Sequence, residues 1–335
     1  MDEWARKPPD RGTQPGTTGL FGHNRSVRSA EEVLATEFDG RRTRLTGLAY
    51  RLTGSIADSE DVVRETWLRL TGLDGAERAG IDDLGSWLNR TAGELAVERA
   101  RTASVRRKHY VGPWLPEPIV LEHGRPETTA SLGVVASAQD VRMAALRLVQ
   151  QLTPERRTAL VLHDVFGTGF DEIAGMLGCS VDTARRNATR ARHTVQQADP
   201  PGRVPAPQQH EVIRALLAGL SAEDQWAVAR ALHPRASVYG DSDGKARTAL
   251  RPVSGRERVA RFLLGLMRKY APSTLANTRS VLVNGDPGLL LPGSPEGTPS
   301  ERAVARRVVG FAVRDGRAAE IHDIVNPDKL RRVPL

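Results

Sequence analysis

The chain has 335 residues, of which 39% are hydrophobic and 26% are charged, and these shares are those of a soluble globular protein rather than of an unfolded chain. No run approaches the roughly 18 apolar residues of a membrane span, and the polar N-terminus lacks the apolar core of a secretion signal. The single cysteine, Cys179, cannot form an internal disulfide, which favours a reducing, cytoplasmic location.

The net charge of +8, from 48 basic and 40 acidic side chains, is unevenly distributed. Residues 31–83 contain 12 acidic and 7 basic side chains, whereas residues 90–108 contain 6 basic and 2 acidic ones. Residues 208–335 carry 20 basic and 13 acidic side chains. This distribution predicts a protein that meets one partner with an acidic surface and nucleic acid with separate basic segments.

The first two thirds of the chain have helical periodicity. Apolar spacing predicts a first helix over 31–53, a second that follows a cap at Ser55 and ends at about Leu73, and a third over 87–101. Residues 72–86 are predicted to form the loop before the third helix. The stretch 110–137 is rich in Pro, Gly and Ser, which is typical of a linker. Four more helices are predicted over 138–151, 154–166, 170–177 and 181–196.

After the proline-rich segment 199–207 the pattern changes to helices followed by strands. Helices are predicted over 209–219, 222–232 and 255–270, and strands over 236–239, 279–283, 289–291, 304–313 and 318–325. Asp315-Gly316 is a strong signal for a two-residue hairpin turn. The order predicts a small α+β domain, in which one of His322 and Asp323 is expected to face solvent.

Residues 170–195 have the pattern of a helix-turn-helix. Gly178 allows a tight turn and Ser180 is placed to cap the second helix, whose outward positions carry arginines, threonines and Asn187. Arginine and asparagine are the side chains that contact base edges and phosphates in the major groove. The alternative is an amphipathic helix hairpin with a solvated basic face.

A second basic cluster follows the helix that starts at Trp87, with Tyr110 and Trp114 beside it. Its members are Arg99, Arg101, Arg106, Arg107, Lys108 and His109. Cations next to aromatic rings suit single-stranded DNA, whose bases stack and whose phosphates pair with cations. Equally, the cations could complement the C-terminus of the helix and the rings could belong to a core.

Taken together, residues 31–196 resemble the extracytoplasmic-function (ECF) sigma factors of bacterial RNA polymerase. The sequence AYRLTGSIADSEDVVRETWLRL (49–70) resembles their polymerase-binding helix in region 2, and the helix-turn-helix falls where region 4 would lie. YVGPWLPEP (110–118), YGDSDGKARTALRPVSG (239–255) and NPDKL (326–330) are similar to the SigJ-like subgroup, which has a C-terminal SnoaL-like domain.

The resemblance implies a multi-domain fold with two all-α sigma domains and an α+β SnoaL-like (NTF2-type) cone domain. The implied divisions are a disordered head (1–30), sigma region 2 (31–112), a linker (113–137), sigma region 4 (138–196), a second linker (197–208) and the SnoaL-like regulatory domain (209–335).

The family resemblance also implies partners and site residues. The clamp of the polymerase largest subunit would be bound by Asp58, Glu60, Asp61, Glu65 and Trp67. The −10 promoter element would be recognised and opened by Asn89, Arg90, Arg99, Arg101, Arg106 and Arg107. The −35 element would be recognised as duplex by Ser180, Thr183, Arg185, Arg186 and Arg190. Gly93 lowers the helix propensity of the −10 helix by about 1 kcal/mol relative to Ala.

In the subgroup the C-terminal domain packs on the sigma core and regulates it. The implied regulatory contacts are Asp241, Lys245, Asn326, Pro327, Asp328 and Lys329. Some SnoaL-like relatives are cyclases or isomerases, for which the candidate acid–base residues here are Tyr239, Asp241, His233, His322 and Asp323. No catalytic residue, cofactor or metal ligand is assigned. The alternative functions are a stand-alone, ligand-gated DNA-binding regulator and a SnoaL-type enzyme.

Overall fold

The computed structural model describes residues 30–122, 130–270, 277–293 and 304–333. Of these, residues 30–37 belong to one compact unit and the remainder to another. The predicted disordered head lies outside the described residues, except for Ala30. Within the described ranges, no helix is long and apolar enough to cross a membrane.

Four helices form the first part of the structure: α1 (Ala30–Thr53), α2 (Ile56–Gly72), α3 (Gly75–Ala79) and α4 (Leu84–Arg107). The cap predicted at Ser55 is present, since its hydroxyl accepts a hydrogen bond from Asp58 N at 3.1 Å. Helix α3 lies in the stretch predicted as a loop, where Asp74 and Glu77 form a capping box. Helix α4 is longer at both ends than its apolar pattern predicted.

The predicted linker 113–137 contributes regular structure. Val120–Leu121 is strand β1, which pairs antiparallel with β4, and Ala130–Ser137 is helix α5. Five further helices follow: α6 (Met143–Gln151), α7 (Pro154–Leu160) extended by a π-helical turn (Val161–Val165), α8 (Phe170–Leu177), α9 (Val181–Ala198) and α10 (Ala206–Ser221).

The C-terminal part is a mixed seven-stranded sheet with two more helices. The helices are α11 (Gln225–Ala231) and α12 (Arg256–Tyr270). The remaining strands are β2 (Leu232–Asp241), β3 (Val253–Ser254), β4 (Arg279–Val283), β5 (Asp286–Leu291), β6 (Arg307–Arg314) and β7 (Arg317–Ile324). Their order is β1-β4-β5-β6-β7-β2-β3, with β2 and β7 parallel and every other pair antiparallel.

Two hairpin turns connect these strands. Asp315 and Gly316 both have positive φ (50° and 66°), as a two-residue hairpin loop requires, and this confirms the predicted turn. Asn284-Gly285 forms the equivalent turn between β4 and β5; it was not predicted, although Asn-Gly is a hairpin signal. A Cβ atom on Gly285 would lie 2.3 Å from the carbonyl oxygen of Ala136, so only glycine fits where this turn meets the helices.

Both faces of the sheet are covered. One face packs against α10, α11 and α12 through side chains such as Leu216, Val259 and Leu264. Leu115, Met143 and Leu330 pack against the other face. The expectation that His322 or Asp323 would face solvent is therefore wrong, because their exposed fractions are 0% and 5%.

Candidate functional site

The predicted polymerase-binding residues lie on α2. Glu60 is exposed, and its carboxylate accepts a hydrogen bond from Arg332 Nη2 at 2.5 Å. Asp61 pairs with Arg64 one turn later, and Glu65 Oε1 lies 3.5 Å from the side chain of Arg69. Arg64, Arg69 and Arg332 thus neutralise part of the negative charge on the acidic face of α2.

Trp67 on the same helix packs against α1. Its ring centroid lies 4.9 Å from that of Phe38, which is buried, at an interplanar angle of 53°. The neighbouring Leu68 belongs to the apolar spacing that predicts this helix, but it is 56% exposed. An exposed leucine one turn after Glu65 adds apolar area to this surface.

Two of the predicted −10 residues contact helices of the helix-turn-helix region. Arg90 Nε lies 3.5 Å from Glu172 of α8, and Arg101 Nε lies 3.5 Å from Glu155 of α7. Arg101 also donates to the carbonyl oxygen of Leu177 at 3.2 Å. These arginines are consequently paired inside the chain in this arrangement.

Gly93 explains how α4 and α8 come so close. A Cβ atom at this position would lie 3.0 Å from Met176 Sδ. The glycine that weakens α4 as a helix therefore allows α8 to pack directly on it.

Arg107 has an internal role in the structure. It donates to Gln150 Oε1 at 3.0 Å and to the Thr53 carbonyl at 2.6 Å, and its guanidinium lies 3.3 Å from the centroid of the Trp114 ring. Burial and the nearby charge of Arg157 lower the pKa of Arg107 to about 9. The other members of the predicted −10 set are exposed (Arg106) or half-buried (Asn89 and Arg99).

The helix-turn-helix geometry matches the sequence pattern. Gly178 ends α8 in the left-handed region (φ 67°), and the Ser180 hydroxyl accepts from Thr183 N at 3.3 Å. Ala184, Ala188 and Ala191 form the buried face of α9. On the opposite side the arginines predicted to contact the −35 element, Arg185, Arg186 and Arg190, are exposed. Cys179, in the turn, is a free, half-buried thiol.

Five residues from three segments meet around a fully buried carboxylate, and we call them the Asp241 cluster: Tyr110, Leu115, Asp241, Asn326 and Lys329. Asp241 accepts hydrogen bonds from the Tyr110 hydroxyl, from Leu115 N at 2.6 Å and from Lys329 Nζ at 2.6 Å. Asn326 Nδ2 donates to the Tyr110 hydroxyl at 2.8 Å. Burial lowers the pKa of Lys329 to about 8, although the charge of Asp241 acts in the opposite direction.

The predicted regulatory residues outside this cluster lie beside it. Lys245 Nζ is 2.6 Å from Asp328 and 3.1 Å from Asp243. Asn326 accepts from Asp328 N at 3.0 Å, and Pro327 begins a 3₁₀ turn that ends at Leu330. The structure therefore brings together residues 241–245 (DSDGK), NPDKL (326–330) and the aromatic segment after α4.

A second cluster connects helix α6 to the C-terminal sheet, and we call it the Glu320 cluster. It consists of Arg147, Tyr239, Glu320 and His322. Arg147 of α6 donates to Glu320 Oε1 at 2.7 Å and lies 4.1 Å from the centroid of the Tyr239 ring. His322 Nε2 is 2.9 Å from Glu320 Oε2. Burial raises the pKa of Glu320, but His322 and Arg147 overcome this effect and lower it to about 2.

Each acid–base candidate of the enzyme hypothesis contacts another side chain of the protein. Tyr239 and His322 belong to the Glu320 cluster, and Asp241 has its own cluster. Asp323 is paired with Arg307, and His233 Nε2 is 3.7 Å from Asp315. In the described ranges, no group of three or more His, Cys, Asp or Glu side chains is placed to hold a metal ion.

The Asn284 turn makes a third contact with the helices. Asn284 Nδ2 donates to the Tyr50 hydroxyl at 2.9 Å and to the Val141 carbonyl at 2.8 Å. Nearby, Arg142 and Asp286 form an ion pair at 2.6 Å in which both side chains are almost fully buried. Neither residue was identified from the sequence.

Comparison with known proteins identifies the family. Residues 38–106 match the model for Sigma-70 region 2, and residues 142–195 match the model for Sigma-70, region 4. The chain is 41% identical over 302 residues to the ECF RNA polymerase sigma factor SigJ of Mycobacterium tuberculosis, covering 90% of this chain and 94% of the relative. It is 28% identical to the probable ECF sigma factor SigI of the same organism, over 90% of this chain and 96% of that one.

The structure gives the same result. It superposes on the crystal structure of M. tuberculosis SigJ with a TM-score of 0.75 at 39% sequence identity, over 90% of this chain and 99% of that one. These likenesses extend through the C-terminal sheet as well as both helical regions. The chain therefore belongs to the extracytoplasmic-function sigma factors, the non-enzymatic initiation factors that direct RNA polymerase to promoters.

Proposed function

We propose that this sigma factor binds the clamp of the polymerase largest subunit through the acidic face of α2, and that it acts in the cytoplasm with the polymerase. The exposed carboxylate of Glu60 and the half-buried ones of Asp58, Asp61 and Glu65 support this assignment. Trp67 contributes by fixing α2 on α1 through Phe38. Long-range attraction between an acidic helix and a basic clamp surface would speed association and weaken with salt.

Promoter contact is assigned to two other helices. In this proposal α4 and its preceding loop bind the opened −10 element with Asn89, Arg90, Arg99, Arg101 and Arg106, while the contacts of Arg107 support a structural role. Helix α9 enters the major groove of the −35 element with Ser180, Thr183, Arg185, Arg186 and Arg190. The exposure of Arg185, Arg186 and Arg190 carries this part.

The C-terminal domain is proposed to hold the free chain in a closed arrangement. The observation that supports this proposal is that Arg90 and Arg101 pair with Glu172 and Glu155, so DNA must compete with these carboxylates for two arginines whose side chains are 61% and 46% exposed. The Asp241 and Glu320 clusters connect the sheet to both helical regions. Arg332 adds direct competition, because its pairing with Glu60 must break if polymerase uses that carboxylate.

Promoter-specific run-off transcription with core polymerase tests the roles separately. Asp61→Ala is expected to weaken core binding without changing the affinity of the holoenzyme for the −35 duplex. Arg185→Ala is expected to weaken promoter contact and to leave core binding intact. Equal loss of core binding in both variants would contradict the division of roles.

A further inference from the structure

Two chain segments meet where the C-terminal domain contacts the end of α4. Residues 105–112 comprise the last residues of α4 and the loop after it, and residues 244–251 lie between β2 and β3. A Cβ atom on Gly244 would lie 3.5 Å from Val111 Cβ, so the two segments are in direct contact. Their outer sides therefore form one surface that belongs partly to region 2 and partly to the C-terminal domain.

The charge of this surface has a single sign. Each of the two segments contains three basic residues and no acidic one. Two of the six basic residues are used inside the chain, since Arg107 donates to Gln150 and Lys245 is paired with Asp328. The other four are exposed and form no ion pair with any residue that the structure describes: Arg106, Lys108, Arg247 and Arg251. Such a concentration of positive charge favours a polyanionic partner.

Apolar side chains lie among these cations. Val111 is 47% exposed and Leu250 is 53% exposed. The backbone of Leu250 adjoins the residue after Val111, because a Cβ atom on Gly112 would lie 3.5 Å from the Leu250 carbonyl oxygen. Duplex DNA keeps the apolar faces of its bases inside the stack, whereas an opened strand exposes them. A surface that combines cations with apolar side chains therefore fits an opened DNA strand better than a duplex.

The surface also continues from the helix that is assigned to the −10 element. Arg99 and Arg106 are seven residues apart on α4, so they lie two turns apart on the same side of the helix. A strand that follows this side to the C-terminal end of α4 meets residues 244–251 next. This continuity favours DNA over an acidic protein as the occupant.

We propose that the C-terminal domain supplies a third DNA contact, which binds the opened strand beside the part held by α4. The contact surface, which we call the loop surface, consists of Arg106, Lys108, Val111, Arg247, Leu250 and Arg251. Its cations pair with phosphates, and its two apolar side chains pack against bases. The proposed function assigns no residue of the C-terminal domain to DNA, so this contact is additional, although its position beside the −10 element rests on the assignment of α4.

Fluorescence anisotropy of a labelled oligothymidylate, titrated with the full chain at several salt concentrations, tests the proposal. The double variant Arg247→Ala/Arg251→Ala should bind the strand about tenfold more weakly than the wild type at low salt, because two phosphate contacts are lost. Each such contact adds about 0.7 to the slope of log K against log salt concentration, so the slope should become about 1.4 shallower. Unchanged affinity or an unchanged slope would overturn the proposal.

A matched control removes the same charge from the same domain. Arg214→Ala/Arg230→Ala changes two exposed positions on α10 and α11, outside the loop surface, and should alter neither the affinity nor the slope. Equal losses in the two double variants would reduce the effect to net charge and refute the assignment. Leu250→Asn should weaken binding by about threefold at an unchanged slope, since apolar contacts release no counterions. Circular dichroism checks that each variant is folded.

Two further arms separate this proposal from the assignments of the other helices. Arg185→Ala should weaken binding to a −35 duplex, which the Arg247→Ala/Arg251→Ala variant should bind as tightly as the wild type does. A loss of oligothymidylate affinity in that double variant but not in Arg99→Ala would contradict the assignment of α4 and support the loop surface. If the double variant instead binds core polymerase more weakly and oligothymidylate normally, the surface belongs to polymerase and the proposal fails.

Discussion

Replacing Asp241 by Asn removes the charge at the centre of the Asp241 cluster and preserves the shape of the side chain. Asp241 is fully buried and accepts hydrogen bonds from the segment after α4 and from the C-terminal turn. The Lys329 side chain is only 12% exposed, so its ammonium group would remain buried without a counter-charge. We therefore expect Asp241→Asn to destabilise the contact between the C-terminal domain and the rest of the chain.

The magnitude follows from the burial of the pair. Removing one partner of a buried ion pair costs about 3–5 kcal/mol, because the remaining charge is uncompensated. Lys329→Met alone should cost a similar amount, since it leaves the carboxylate with two neutral donors. The double variant should lose about 2 kcal/mol less than the sum of the two single losses, because neither unpaired charge remains.

Urea denaturation of the full chain, followed by circular dichroism, gives the four free energies of unfolding. Asp82→Asn, at an exposed position before α4, is the matched control and should change stability by less than about 0.5 kcal/mol. A loss of unfolding free energy below about 1 kcal/mol for Asp241→Asn, or additive losses in the double variant, would refute the view that the Asp241–Lys329 pair stabilises the contact of the C-terminal domain with the rest of the chain.

Three other predictions concern separate contacts. The pKa of Glu320 is about 2 against an ordinary value of 4.5, so its contribution to stability is complete above pH 4.5 and is lost as the pH falls toward 2. Urea titrations at pH 5 and pH 3 should therefore show a smaller loss of unfolding free energy for Glu320→Gln than for the wild type. Gly285→Ala should cost more than about 1 kcal/mol in the same assay, since its φ is 81° and a Cβ would meet a backbone oxygen at 2.3 Å; an unchanged midpoint would contradict this. Arg332→Ala should tighten core polymerase binding, measured by fluorescence anisotropy, by up to about fivefold, because an exposed ion pair contributes no more than that. Arg331→Ala, the control, should not change the affinity. Weaker binding by Arg332→Ala would exclude competition at Glu60.

Local patterns in the sequence predicted most of the elements. Apolar periodicity placed α8 and α9, and glycine at 178 with serine at 180 predicted the turn and cap that the structure has. Charge segregation separated the acidic α2 from the basic end of α4. Such features depend on residues a few positions apart, so a single sequence contains them.

Contacts between segments far apart in the sequence were not predicted. Nothing near Arg332 indicates that it meets Glu60, 272 residues earlier, and nothing near Arg107 indicates that it donates to Gln150. The His322 expectation failed for the same reason, since the second face of the sheet is covered by residues as distant as Leu115 and Met143. Burial of a strand on both faces depends on its neighbours in space.

We propose that the free chain is held closed and opens when both promoter-binding helices contact DNA. Dyes on Glu98→Cys of α4 and Thr194→Cys of α9, both exposed positions, in a Cys179→Ser background, report the separation of these helices by single-molecule energy transfer. We predict high transfer in the free chain and a shift to low transfer when core polymerase and promoter DNA are added. Transfer that stays high in an active promoter complex would contradict this opening of the chain.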